Sequence, residues 1–204
     1  MTSEWKQISR KNGIRVYKRD LQGSEFKEFR GIVTVDASLS SFAALLWDAP
    51  KMASWMHKTE EVRVVEKLSD NERIAYMRFD FMPLGKRELI VKNAVIQNPD
   101  DFSVTYSMDF ISDHAELSRS RHGMMENLTG HVVAKPLDQG GIEITYQCHV
   151  EPGIKLLELW GASAVTNKLL SDTPYYTLKN ARNRINQPEY RAVELSYIQE
   201  PDFA

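Results

Sequence analysis

The 204-residue chain is 42% hydrophobic and 26% charged, the balance of one soluble globular domain. A formal net charge of −2 gives no basic excess of the kind that marks a nucleic-acid binder. The one cysteine, Cys148, excludes an intrachain disulfide and a cysteine-based zinc or iron–sulfur site, and no apolar run approaches the roughly 18 residues of a membrane span.

The chain opens on a polar stretch with no signal-peptide core. A cytoplasmic protein is the expectation, or a periplasmic one if an export signal precedes Met1. "SEWKQISRK" reads as a short helix with Trp5 and Ile8 on one side. "GIRVYKRD" (13–20) and "FKEFRGIVTVDA" (26–37) read as strands, the second with Phe29, Val33 and Val35 on one face. Two short helices follow: "LSSFAALLWD", with Ser38 as its cap, and "PKMASWMH", with Pro50 at its first position.

The period then changes to two. Six segments alternate between short turns: "EEVRVVEKL", "RIAYMRFDF", "RELIVKNAVI", "FSVTYSMDFI", "MMENLTGHVVAK" and "GIEITYQCHV". Such a series predicts an antiparallel meander with one buried and one wet face. In the last, Ile142, Ile144, Tyr146, Cys148 and Val150 face one way, and His149 faces out. The polar run 112–123 reads as a loop. After Pro152-Gly153 the spacing becomes helical for about 32 residues (154–185), with a kink or break expected about one turn before Pro174. A large curved sheet crossed by one long helix is an α+β architecture.

In this order the chain resembles the START domain, the steroidogenic-acute-regulatory-related lipid-transfer family of helix-grip proteins. Five stretches carry the likeness: Trp5 ahead of "GIRVYKRD", "KEFRGIVTVDASLSSFAALLWD", "WMHKTEEVRVVE", "MPLGKREL", and "TGHVVAKP" with "GGIEITYQCHVEPGIKL". It covers residues 4 to about 186. The resemblance implies a helix-grip lipid-binding domain over 1–186 and a tail over 187–204. It implies a non-enzymatic, monomeric carrier that meets membranes transiently. Asn93 stands where sterol-binding members have Arg, which argues against a sterol. Two other classes stay open: a cyclase/aromatase-like enzyme on an apolar polycyclic substrate, and a ligand-sensing interaction module.

The cavity this implies lies between the last helix and the sheet. Its expected lining is Met77, Phe79, Phe81, Asn93, Tyr106, Met108, Phe110, Met124, Tyr146, Leu157, Trp160, Ala164 and Val165. The bare residues also fit an ordinary packed core; flexible Met side chains suit a variable apolar guest. Arg78, Asp80 and Arg121 are candidate polar anchors, although Arg78 and Asp80 share a face with Tyr76 and also read as a solvated pair. Arg87 reads as a tie from its turn to a neighbouring carboxylate or carbonyls, with a headgroup contact as the alternative. His57, His114, His122, His131 and His149 show no metal-ligand spacing, and no cofactor or catalytic motif is found. Cys148, alternating with core residues, reads as a small buried hydrophobe.

Overall fold

The computed structural model describes residues 3–82, 85–117, 122–153 and 162–202. Its ten strands are β1 (Lys6–Lys11), β2 (Ile14–Arg19), β3 (Glu28–Val35), β4 (Thr59–Lys67), β5 (Glu72–Asp80), β6 (Lys86–Gln97), β7 (Val104–Ile111), β8 (Gly123–Met124), β9 (Asn127–Pro136) and β10 (Ile142–Glu151). They form one sheet in the order β1-β2-β3-β10-β9-β7-β6-β5-β4, with the short β8 pairing in parallel with β6. Helices α1 (Leu39–Trp47) and α2 (Ala49–Met52) follow β3. Helices α3 (Ala162–Ser171), α4 (Thr173–Ile185) and α5 (Pro188–Arg191) follow β10. This is the expected α+β helix grip, with a large curved antiparallel sheet around C-terminal helices.

The first element is a correction: Lys6–Lys11 is a strand, not a helix. Asn12 and Gly13 both have positive φ, 51° and 75°. Those are the two central positions of a tight hairpin turn, for which Asn-Gly is a strong signal. The turn pairs Lys11 with Ile14 and Lys6 with Lys18. The apolar spacing of Trp5 and Ile8 was weaker information than this dipeptide.

Ser38 caps α1 as its sequence implies, accepting the Ser41 amide at 3.0 Å. A second cap comes from the chain's end. Glu200 accepts the amides of Leu39 at 3.0 Å and Ser40 at 2.8 Å, placing a carboxylate on the positive end of α1. Residues 187–204 are therefore not a free extension over their described part. Tyr190 and Ile198 are buried, and the Tyr190 hydroxyl donates to Asp48 at 2.8 Å.

The long C-terminal helix breaks at Asp172, two residues before Pro174. Proline lacks the amide that would continue α3, and it serves well in the first turn of α4. Helix α4 lies directly on β3 because Gly31 has no side chain. A β-carbon there would come within 2.6 Å of Leu178 Cδ1 and 2.9 Å of Pro174 Cβ. Residues 154–161, the first part of the expected helix, lie outside the described residues.

The outer face is less wet than alternation implies. Gln147 and His149 on β10 are buried, as is Glu28 on β3. Gln147 donates to Glu28 and accepts from Arg30, and the Trp5 ring is sandwiched between the guanidinium groups of Arg19 and Arg30 at 4.4 and 4.1 Å. The polar groups supply one another's hydrogen bonds, so they can be covered at little cost.

Candidate functional site: the inner face of the grip

Period-two alternation puts one row from each strand on the concave face. Met77, Phe79 and Phe81 come from β5 and its end, Tyr106 and Met108 from β7, and Tyr146 and Cys148 from β10. All are buried in one core with Phe42, Leu46, Met56, Leu170 and Leu178 from the helical side. Among the described residues, apolar voids interrupt this packing at two places. One, of about 30 Å³, is bounded by Phe79, Phe81, Met108, Tyr146, Met125 and Leu170. The other, of about 10 Å³, lies beneath α1 and α4 between Phe42, Trp55, Val132, Ile144, Tyr146 and Leu178. Tyr146 touches both.

The remaining expected lining divides. Asn93 is fully buried on the same face, and Phe110 is half-buried against the core. Met124 is corrected: it is 40% exposed, and its neighbour Met125 turns inward instead. The two-residue β8 and the bend after it shift the alternation by one position, which the sequence does not announce. Ala164 is also corrected, being exposed on the outer side of α3. The side chain of Val165, and Leu157, Trp160 and Arg121, lie outside the described residues. Arg78 and Asp80 face away from the concave side, and Arg78 pairs with Glu60 at 3.0 Å and Glu61 at 2.7 Å. These solvated pairs are not positioned as inner anchors.

From the central strands of the sheet, Arg73, Asn93 and Tyr106 are polar side chains that face inward. Arg73 and Asn93 are opposite each other across β5 and β6, and Asn93 is opposite Met108 across β6 and β7. The Arg73 guanidinium donates to the carbonyls of Trp47 at 2.6 Å and Leu46 at 3.2 Å, and stacks on the Trp47 ring at 4.2 Å. Arg73 Nε and Asn93 Oδ1 have no hydrogen-bond partner, nor do Trp55 Nε1 and Thr173 Oγ1 at the edges of the two voids, and the Tyr106 hydroxyl has only the neighbouring Arg73 guanidinium beside it. Buried polar atoms are rarely left so. Burial pushes the Tyr106 phenol up, so the hydroxyl keeps its proton. Arg73 was readable: in "RIAYMRFDF" it has the parity of Met77, Phe79 and Phe81.

Arg87, at the β5–β6 turn, ties carbonyls rather than a carboxylate. Its Nε donates to Pro152 at 2.9 Å and another nitrogen to Lys86 at 2.8 Å. It thereby holds the β6 start against the end of β10. Burial raises the Cys148 thiol to about 12, so it is not a thiolate nucleophile near neutral pH.

His57 joins the α2–β4 connection to α4. Its ring stacks on Tyr176 at 4.9 Å, and its amide donates to Thr177 Oγ1 at 3.2 Å. Burial and then the charge of Lys58 hold its pKa below the ordinary histidine value, against an opposing pull from Asp172. Burial likewise lowers His131. A depressed histidine contributes stability that is complete above the unfolded value of roughly 6.5 and is lost as pH falls toward the folded value. Urea midpoints are therefore expected to drop below about pH 6.5, and His57→Gln should flatten that drop. An unchanged slope in the variant would remove His57 from the account.

The fold has recognisable counterparts. An uncharacterized protein of Pseudomonas aeruginosa is 24% identical over 185 residues, spanning 90% of this chain and 87% of its own. The STAR-related lipid transfer protein of Xanthomonas axonopodis superposes with a TM-score of 0.79 at 26% identity, over 90% of this chain and 99% of that one. Human StAR-related lipid transfer protein 5 superposes with a TM-score of 0.73 at 15% identity, over 90% and 86%, a likeness of fold. The START domain family model matches residues 2–188, and the chain belongs to the START domain family.

Proposed function

We propose that this protein binds a lipid between the concave sheet and helices α3 and α4, and carries it between membranes. The observation that carries the reading is the inner face itself. It is apolar and incompletely packed, and Arg73 and Asn93, each with one partnerless buried atom, stand on the same face with Tyr106. Hydrocarbon fits the first part and a polar end fits the second. Arg73 and Tyr106 offer donors and Asn93 an acceptor, one register step behind Met108 at the larger void. Methionine is flexible enough to move aside and join the two.

Volume dictates the mechanism. Sites for lipid-sized ligands run to roughly 300–1,000 Å³. The two voids, about 30 and 10 Å³, hold far less. Loading therefore requires the helical side to move outward. Transfer from bilayer to cavity exchanges one apolar environment for another, whereas taking a 16-carbon chain through water costs on the order of 13 kcal/mol. The carrier must open at the membrane surface and close before leaving it.

Native mass spectrometry of protein purified from its own host, followed by lipid extraction, is expected to find one bound amphiphile. Met108→Trp should fill the void and reduce occupancy at least about tenfold while thermal unfolding stays cooperative. Protein that leaves its host empty and takes no lipid from vesicles would exclude the carrier reading.

A further inference from the structure

We propose that the groove between the β1–β2 hairpin and α3 is the face by which the protein docks on an anionic bilayer, a reading that builds on the proposed carrier function. The groove has a volume of about 560 Å³, and Lys11, Lys18, Lys27 and Lys168 stand in its wall. Asp172 is the acid in that wall. From Lys6 to Arg19 the chain holds Lys6, Arg10, Lys11, Arg15, Lys18 and Arg19 and no Asp or Glu, in a protein of net charge −2. Positive charge is thus concentrated on one edge of the sheet.

Some of these cations are engaged. Arg15 pairs with Glu143, Arg19 with Glu28 and Lys27 with Asp20. Among the described residues, Lys6, Arg10, Lys11, Lys18 and Lys168 have no carboxylate at ion-pair distance. Every residue of β1 is exposed. Lysines on an edge strand also deter pairing with another sheet. That role does not explain Lys168, which comes from a helix on the opposite wall. Nor does it explain the exposed Ile8 and Tyr176 beside the charges. Basic side chains with an aliphatic and an aromatic anchor complement phosphate headgroups above an acyl boundary.

Helix α3 connects this surface to the lipid site. Its Lys168 and Ser171 face the groove, while its Leu170 bounds the inner void. Asn167 fastens the helix to the chain before β3, accepting from the Lys27 amide at 2.9 Å and donating to the Glu25 carbonyl at 3.2 Å. Phosphates drawn to Lys168 would pull on the helix side of that fastening. Docking and opening are then one event.

The test is sedimentation with vesicles of phosphatidylcholine, alone or with phosphatidylglycerol admixed. Wild-type protein is expected to prefer the anionic vesicles, less so at high salt. Each lysine near such a surface is worth roughly fivefold in partitioning. The triple variant Lys11→Glu, Lys18→Glu, Lys168→Glu should therefore lose at least about 30-fold, and Lys135→Glu on β9, outside the groove, under twofold. Circular dichroism checks that both remain folded. Equal binding to the two vesicle types, or undiminished binding by the triple variant, would overturn the proposal. So would an RNA oligonucleotide that displaces the protein from vesicles by occupying the same lysines. Docking without lipid uptake would leave this surface standing and remove the carrier reading; uptake without anionic preference would do the reverse.

Discussion

Arg73→Ala is expected to destabilise the protein by about 2–4 kcal/mol, from two hydrogen bonds between a charged donor and buried carbonyls together with the packing lost. Arg73 is 3% exposed, and two of its nitrogens bind the last carbonyls of α1. A helix C-terminus carries orphan carbonyls and partial negative charge, and a guanidinium satisfies both. Removing it strands those carbonyls, uncovers one face of Trp47 and leaves a hole. Arg73→Met separates the contributions: it fills the space but caps nothing, so its loss should be smaller. Arg73→Lys should recover only part, because one ammonium cannot fork to two carbonyls as a guanidinium does. Urea unfolding ranks the three. A loss below about 1 kcal/mol for the alanine variant would show that Arg73 does not fasten α1. Tyr106→Phe completes the comparison. Its hydroxyl lies beside the Arg73 guanidinium without a well-formed hydrogen bond, so stability should change by only about 1 kcal/mol. Lipid affinity should fall if that hydroxyl meets the guest's polar end.

Arg73 also shows how much of the site is written in local sequence pattern. Asn93, where sterol-binding members have Arg, pointed to the lack of a buried base. The base is present one strand away, directly opposite Asn93. Strand parity places Arg73 inward with Met77 and Phe79, whereas Arg78 and Asp80, the expected polar anchors, have the parity that turns them outward. The strands of the meander and the break near Pro174 were legible because alternation and proline are local signals. The inward turn of Met125 was not, since it depends on a two-residue strand pairing with β6. The contribution of α1 and of the turn after α2 to the smaller void was hidden for a related reason. Phe42, Trp55 and Met56 fall in two stretches expected as short helices, and only the tertiary fold brings them opposite Tyr146. Glu200 as a cap for α1 joins positions 161 residues apart, beyond any local pattern.

Fastening α3 is expected to stop lipid exchange without emptying the site. Asn167 already bridges α3 to the segment before β3 through two hydrogen bonds. Replacing these contacts by a covalent one, with Lys27→Cys and Asn167→Cys, holds the helix against the sheet in the closed arrangement. The native Cys148 is buried with its thiol raised to about 12, so it should not compete during oxidation. Protein loaded with a fluorescent lipid and then oxidised should retain that lipid, and its transfer between vesicles should slow at least about tenfold. Reduction should restore the rate. Asn167→Ala should act in the opposite direction, releasing lipid faster because α3 loses the same two contacts while Leu170 remains in the core. The pair of results distinguishes gating from affinity. A weaker site would release faster whatever the redox state, whereas a gate responds to the crosslink alone. Equal transfer by oxidised and reduced protein, with the crosslink confirmed by mass, would mean that α3 is not the moving part. The entrance would then have to be sought at the loop after β6, 98–103, and the loop after β7, 112–117, where the sheet itself would have to part.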